Sequence, residues 1–261
     1  IAGHLRSADL HFERRLLRVA KTAGKRYQLN FAGDGGATLE VLADIVVLAL
    51  PFAVLRGVDY TLAAFDPLKH QAIQQLGAGH NGKIQVQFNS RPWRGAGPWG
   101  VSTGTSYADT GYQQGWEVTR AQSGASGILN FYSGGGRALA LAATTAFATT
   151  ANGVVLPDVA TTLAQAEPVF PGLTAQWNGK ASASLPHLHP FFGASRSYYR
   201  PGQYTAFGGY EGAPLDQMFF CGEHTSMAFR GSMEGGAAEG RKTALAIVAL
   251  LRHGAHPQRK R

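Results

Sequence analysis

The sequence predicts an α/β chain, and three stretches carry that prediction. Ala43-Asp44-Ile45-Val46-Val47-Leu48-Ala49-Leu50-Pro51 is an unbroken run rich in β-branched residues and ended by proline. Such a run reads as a strand buried on both faces, of the kind central to a parallel sheet. Lys83 to Phe88 alternates polar and apolar residues strictly, as a strand with one dry and one polar face does. Met218 to Leu251 joins a short apolar strand, a glycine-rich polar turn and a helix. Its Ala237, Gly240, Ala244, Ile247, Val248 and Leu251 fall on one helical face.

The other elements follow in chain order. Leu16 to Lys25 is a short basic-apolar segment, Tyr27 to Phe31 alternates as a strand, and Gly33-Asp34-Gly35-Gly36 is a turn. Asp66-Pro67-Leu68 opens a helix that runs through Leu76 and is stopped by Gly77 and Gly79. Gly127 to Tyr132 is a further strand, followed by Gly134-Gly135-Gly136 and an alanine-rich helix through Ala146. The triple glycine lacks G-x-G-x-x-G spacing and an acidic residue about twenty positions on, so it reads as a strand-to-helix turn. Asp158 to Ala166 is a helix capped by Asp158 and closed by Pro168.

Composition narrows the function classes. A chain of 261 residues with 44% hydrophobic residues and 34 glycines can bury a substantial core and make many tight turns. No run approaches the ~18 apolar residues of a membrane-spanning helix. One cysteine excludes an internal disulfide and any cysteine-cluster metal site. The net charge of +8 is scattered, apart from the tail Arg252–Arg261, and no aromatic-interleaved basic stripe points to nucleic acid. His187 and His189 lack a third ligand nearby, so no metal site is expected. The opening Ile1-Ala2-Gly3-His4 has neither an initiator methionine nor a secretory signal, and reads as the continuation of something cleaved. The compartment stays open: cytoplasmic, periplasmic or secreted.

The turn after Met218-Phe219-Phe220 reads Cys221-Gly222-Glu223-His224-Thr225-Ser226, then Phe229-Arg230-Gly231-Ser232-Met233-Glu234-Gly235-Gly236. Physically it is either an ordinary buried strand–helix turn or a helix start shaped to receive an anion or a polar cofactor edge. The run from Phe220 to Gly240 closely resembles the carboxy-terminal flavin-binding motif of the flavin-dependent amine oxidases, the family of monoamine, polyamine and L-amino-acid oxidases. Gly222 to Ser226 fit that motif fully, as do Gly231, Met233, Glu234 and Gly235. Cys221 replaces a small residue and Ser232 an aromatic one. The resemblance extends from about Val41 to Ala246, with Asp44–Pro51 as the strand that returns the chain to the cofactor-binding sheet. It implies the carboxy-terminal part of a two-domain FAD-dependent amine oxidase fold, a Rossmann-like FAD domain with a mixed-sheet substrate domain. Residues 1–58 and 193–252 would belong to the FAD domain, 59–192 to the substrate domain, and 253–261 to a basic tail.

What the resemblance implies for chemistry attaches to named residues. Lys83, from the residue alone a solvated strand-end lysine, becomes the catalytic lysine that reaches the flavin's reactive nitrogen through a water and supports reoxidation by dioxygen. Trp93 stands at the expected distance after it. Gly222, Glu223, Gly231, Ser232 and Met233 would hold the cofactor, with Glu223 on a hydroxyl or facing the pyrophosphate. The amide near Met233 would face the pyrimidine-ring carbonyl of the flavin. Glu234 is solvated or caps the turn. Phe191 to Gln203 resembles the segment passing the flavin's face, where Ala194 replaces the cysteine of covalent attachment, so FAD would be non-covalent. Ser195 and Ser232 take the places of the paired cage tyrosines. Ser195, Tyr198 and Tyr199 become candidates for the substrate pocket, although adjacent aromatics are more often core. The family's amino-terminal dinucleotide-binding unit is not in the sequence. The expected partner is therefore an amino-terminal FAD-binding chain or fragment, proteolytically released or separately encoded, in a heteromer or higher oligomer. The expected reaction takes hydride from a primary amine or L-amino acid, with dioxygen reduced to hydrogen peroxide. A desaturase that does not use oxygen and a non-catalytic flavin-fold subunit are the alternatives.

Overall fold

The structure, a computed structural model, describes residues 8–98 and 100–254, so Ile1–His4 and most of the basic tail lie outside the described residues. The chain forms two compact units, Ile1–Leu76 with Tyr199–Arg261, and Gly77–Tyr198. These boundaries fall later than the 58/59 and 192/193 divisions read from the sequence. The reason is that Asp59–Leu62 and Pro67–Gln75 both pack into the first unit.

The first arm of that unit holds β1 (Leu16–Lys21), β2 (Tyr27–Ala32), β3 (Thr38–Ala43), β4 (Val46–Leu48), α1 (Phe52–Leu55), β5 (Asp59–Leu62) and α2 (Pro67–Gln75). Strand order in its sheet is β3-β2-β1-β5, with β5 parallel to β1 and the other pairs antiparallel. The sheet covers a core that includes Val19, Tyr27, Leu48, Phe52, Leu55, Ile73 and Phe220. Asp66 caps α2 by accepting the Lys69 N–H at 2.8 Å, and Pro67 supplies the first helical position.

The run Ala43–Pro51 corrects the expectation of one long strand buried on both faces. Asp44, in ion contact with Arg26 at 2.8 Å, and Ile45 form a bend, and only Val46–Leu48 are extended. β4 makes a two-stranded parallel pair in which Val47 is 42% exposed. No further strand lies beside the pair among the described residues, so its edges stay unpaired, and Val47 leaves one face of β4 open.

The second unit contains β6 (Gly77–Ala78), β7 (Asn81–Phe88), β8 (Ala96–Gly97), β9 (Gly100–Val101), β10 (Ser106–Tyr107), β11 (Gln114–Glu117), β12 (Gly127–Gly134), α3 (Gly136–Leu139), β13 (Phe147–Thr149), α4 (Leu156–Ala166), β14 (Trp177–Ser184) and β15 (Ser197–Tyr198). Six strands form one antiparallel sheet in the order β10-β11-β12-β7-β14-β13. The alternation of β7 is realised as predicted. Ile84, Val86 and Phe88 join Leu129, Phe131, Val159 and Leu163 in the apolar core, which leaves Lys83, Gln85 and Gln87 on the other face.

The alanine-rich stretch departs from expectation, because α3 ends at Leu139 and not near Ala146. Asp158 explains it. Its carboxylate, 4% exposed, accepts the amides of Ala142 at 2.7 Å and Ala143 at 2.9 Å, which holds these residues out of a helical ladder. For the same reason Asp158 is not the cap of α4: that helix begins two residues earlier, and its carboxylate is spent on the other segment.

The chain then returns to the first unit through α5 (Gln203–Phe207), β16 (Met218–Phe220), which pairs in parallel with β4, and α6 (Met233–Gly254). On α6 the buried stripe is Gly235, Glu239 and Thr243, spaced by four residues. The predicted face is largely open instead, with Ala237, Ala244, Val248 and Leu251 exposed.

Replacing Asp158 by Ala should leave the buried Ala143 amide and the part-buried Ala142 amide without an acceptor and cost about 1–3 kcal/mol for the buried group and less for the other. Urea unfolding checks this, with a lowered midpoint and an unchanged slope as the expected result.

Candidate functional site

Strand β16 delivers Cys221 and then a turn built by backbone geometry. Gly222 has φ of 135°, and a side chain there would stand 2.8 Å from the His224 ring. Its carbonyl accepts the Thr225 N–H at 3.1 Å and the Thr225 hydroxyl at 2.9 Å. Glu223 folds back so that Oε2 accepts the Gly231 N–H at 2.6 Å, which closes the eight-residue span across the turn. Ser232 is the N-cap of α6: its hydroxyl accepts the Gly235 N–H at 3.1 Å and donates to the Phe229 carbonyl at 2.7 Å. Any β-carbon on Gly235 would collide with that same Phe229 carbonyl, so the helix can approach the turn only with glycine here. The amides of Met233 and Glu234 have no acceptor among the described residues, and the Met233 side chain is 94% exposed. A 22-residue helix thus presents open N–H groups at its positive end.

Behind this turn lies a charged network that the sequence reading did not identify. Lys69 on α2 is fully buried. Its ammonium donates to the carbonyls of Tyr210 at 2.7 Å, Glu211 at 3.0 Å and Ala213 at 2.8 Å, with the Phe220 ring 4.0 Å away. Burial pulls the Lys69 pKa down to about 7 against the attraction of Asp66 and Glu211, but three carbonyl acceptors and a ring face are the setting of the charged form. Glu211, also fully buried, receives Arg230 Nη2 at 2.8 Å. The same guanidinium donates to the Tyr199 hydroxyl at 2.5 Å, lies 4.0 Å over the Tyr199 ring, and bonds the His224 carbonyl. Burial, joined by Glu211, pushes the Tyr199 pKa up to about 12. His224 is buried against Phe52, with ring centroids 4.6 Å apart. Burial, with Arg230 and Lys69 adding to it, lowers the His224 pKa to about 3, so the ring is neutral.

The predicted residues therefore divide. Gly222, Glu223, Gly231, Ser232 and Met233 come together in the turn, while Tyr199 belongs to the Arg230 network of the same unit. Lys83, Ser195 and Tyr198 lie in the second unit. Lys83 is exposed on β7 and makes no side-chain hydrogen bond or ion pair among the described residues. Ser195 lies near it in the chain's fabric: its hydroxyl sits 2.6 Å from Asn81 Oδ1 and 2.9 Å from the Gly79 carbonyl, and Asn81 is two positions before Lys83 on one strand face. Tyr198 is 42% exposed on β15, whose backbone and ring press on Gly77 of β6. Trp93 is a core residue, 2% exposed, and donates its indole N–H to Glu117 at 3.0 Å. The second unit also holds a cavity of about 870 Å³ beside Trp93, Tyr107 and Phe170, and none of the predicted residues lines it. Among the described residues no group of three His, Cys, Asp or Glu side chains is placed to hold a metal, and no helix is long and apolar enough to cross a membrane.

The neutral His224 sets an acid sensitivity. Below pH 6.5 the unfolded chain takes up a proton that the native ring refuses until about pH 3, so stability falls as pH drops through that window. The expected slope from this residue is about 1.4 kcal/mol per pH unit. Comparing urea midpoints of the parent and of His224→Gln at pH 6.5 and 5.0 checks it, and the variant should lose that part of the slope.

The sequence profile of the family described as flavin containing amine oxidoreductase matches residues 1–248. No curated protein matches the chain by sequence. Among solved structures, a cyclohexylamine oxidase from Brevibacterium oxydans IH-35A superposes with a TM-score of 0.73 at 20% identity, covering 91% of this chain and 48% of that one. A wild-type putrescine oxidase bound to putrescine gives a TM-score of 0.73 at 18% identity, with 95% and 51% covered. The likeness at these identities is one of fold, and the chain spans about half the length of the structures it matches. Matched over nearly its whole length by that profile, this chain belongs to the flavin-containing amine oxidoreductase family.

Proposed function

We propose that this chain supplies the carboxy-terminal half of the cofactor cradle and the catalytic lysine of an FAD-dependent amine oxidase. The observation that carries the reading is the start of α6, where the Met233 and Glu234 amides have no acceptor among the described residues and stand at the positive end of the helix, open to an electron-rich group. These residues fit a flavin. Gly222, Gly231 and Gly235 keep side chains off the turn, Glu223 and Ser232 fix its shape, and the amides at Met233 and Glu234 face outward with the helix dipole behind them. Ala194 offers no nucleophile, so attachment is non-covalent.

When bound, the flavin supplies the two-electron acceptor for hydride leaving the carbon next to the amine nitrogen, and dioxygen then carries the electrons to hydrogen peroxide. The chain's own residues do the rest. Lys83 brings an unpaired ammonium that orders a water and favours negative charge passing to oxygen. The positive end of α6, with the Met233 and Glu234 amides, would hold the flavin and would favour negative charge on it. Ser195, through Asn81, holds the start of β7 and hence Lys83, and Tyr198 offers an exposed ring to substrate. The product imine hydrolyses in water to a carbonyl compound and ammonia. The assay to run is a peroxide-coupled screen of primary amines and L-amino acids on flavin-loaded material. Lys83→Met should lower peroxide production by at least about tenfold, while flavin binding stays within twofold. Amine turnover without oxygen consumption would instead indicate a dehydrogenase.

The other half of the cradle comes from a dinucleotide-binding segment on another chain or on another part of the same polypeptide. The open face of α6 and the exposed Val47 of β4 are where such a segment docks, since a parallel strand pair and a row of Ala, Val and Leu are ordinarily covered. Val248→Glu should abolish flavin retention and co-purification of that segment, without lowering the melting temperature of this chain alone. A denaturing gel beside a visible spectrum reads both, and a yellow protein made of this chain alone would sink the idea.

A further inference from the structure

The six-stranded sheet of the second unit has two chemically opposite faces. One packs the apolar core. The other carries Lys83 and Gln85 on β7, with Tyr132 and Asn130 directly across on β12 and Trp116 across from Asn130 on β11. Asn130 lies between Leu129 and Phe131, both in the core, so alternation sends its side chain to the Lys83 face. There it is fully buried, yet neither its amide nitrogen nor its amide oxygen has a partner. Its cross-strand neighbour Gln85 is already engaged through its oxygen by the Ser182 hydroxyl at 2.8 Å. The Trp116 and Tyr132 rings, 5.9 Å apart, flank it and are themselves only half-buried.

Buried amides that lack a partner are uncommon, because each loses its water without replacement. Register places no Asp or Glu on this face, so a second charge on a ligand would find no counter-ion there. We infer that the Asn130 amide is a substrate-recognition group, which takes an uncharged hydroxyl or carboxamide on the amine being oxidised. An amide offers both a donor and an acceptor, and a hydroxyl answers with both in turn. Lys83 pairs with Tyr132, so Asn130 is its diagonal neighbour about 7–8 Å away, a span that an extended chain of about six bonds covers. The substrate class is therefore an aliphatic amine with a hydroxyl or carboxamide about five or six bonds from the oxidised carbon. This rests on the function proposed above, with oxidation taking place near Lys83.

The test uses n-alkylamines, the matching ω-hydroxyalkylamines and the matching diamines. On flavin-loaded enzyme, kcat/KM for the hydroxylated amine should exceed that for the plain amine by at least about tenfold, since a site built to bond a hydroxyl rejects its absence. Asn130→Leu should collapse that ratio to near one. Asn130→Asp should move the preference to the diamine, a change that a merely structural asparagine would not produce. A second readout needs no turnover: quenching of tryptophan fluorescence by the hydroxylated amine, with Trp116 beside the amide, should vanish in Asn130→Leu and survive Lys83→Met. Peroxide formed from amines with no hydroxyl preference, or a preference unchanged in Asn130→Leu, overturns the inference and leaves the oxidase reading standing. Fluorescence discrimination lost in Asn130→Leu, with no amine oxidised by any preparation, supports the recognition group and overturns the oxidase reading. Absence of both turnover and quenching overturns both.

Discussion

The buried ammonium of Lys69 is the constraint on which the first unit depends. A positive charge without water is tolerable only when every proton has an acceptor. Here the three acceptors are carbonyls of one short segment, Tyr210 to Ala213. Fixing that segment fixes Glu211, which fixes Arg230, and Arg230 in turn reaches the His224 carbonyl and the Tyr199 hydroxyl. The turn that begins α6 is thus held from below by charge and from within by Glu223 and Ser232. Breaking one member of such a chain strands the others, and buried pairs broken on one side ordinarily cost about 3–5 kcal/mol.

The second unit solves a similar problem differently. Glu117 is 4% exposed and takes bonds from Trp93, Arg94 and Thr119, with Arg91 at 3.3 Å. Its pKa is lowered, since those bonds to the ionised form outweigh burial that acts to raise it. One acidic residue thereby staples the loop after β7 to the sheet. On the opposite sheet face Gln85 and Gln87 are bonded to Ser182 and Asn178, while the Lys83 ammonium and the Asn130 amide have no partner among the described residues.

How much of this was legible in the sequence follows from the range of the forces involved. The alternation of β7, the Asp66-Pro67 start of α2 and the strand–turn–helix at Met218–Gly254 are set by neighbours within a few residues, and they appear where read. The motif residues likewise gather because they are contiguous. The helix predicted to Ala146 failed because Asp158 captures two amides from a distance of sixteen and fifteen residues, which no local pattern records. The small-residue face of α6 is largely exposed and Gly235, Glu239 and Thr243 are buried in its place, because periodicity does not say what covers a face. Lys69 carried a signal that went unused. With Ala72, Ile73 and Leu76 it sits at i, i+3, i+4 and i+7, so a lysine held a core position of an amphipathic helix. Asn130, between two large apolar residues of a strand, offers a weaker version of the same hint.

Cys221 gains a meaning from its surroundings. It is the one thiol in the sequence, it lies at the end of β16, and the Thr243 hydroxyl and the Glu239 carboxylate of α6 close over it. Burial first, and then Glu239, push its pKa up, so the docked thiol is both shielded and protonated. Its alkylation rate is therefore a chemical clock for a single event, the lifting of α6 from the strand. Because binding at the native helix start holds that event back, the thiol reports occupancy of the cradle in the dark, without a spectrum and without turnover.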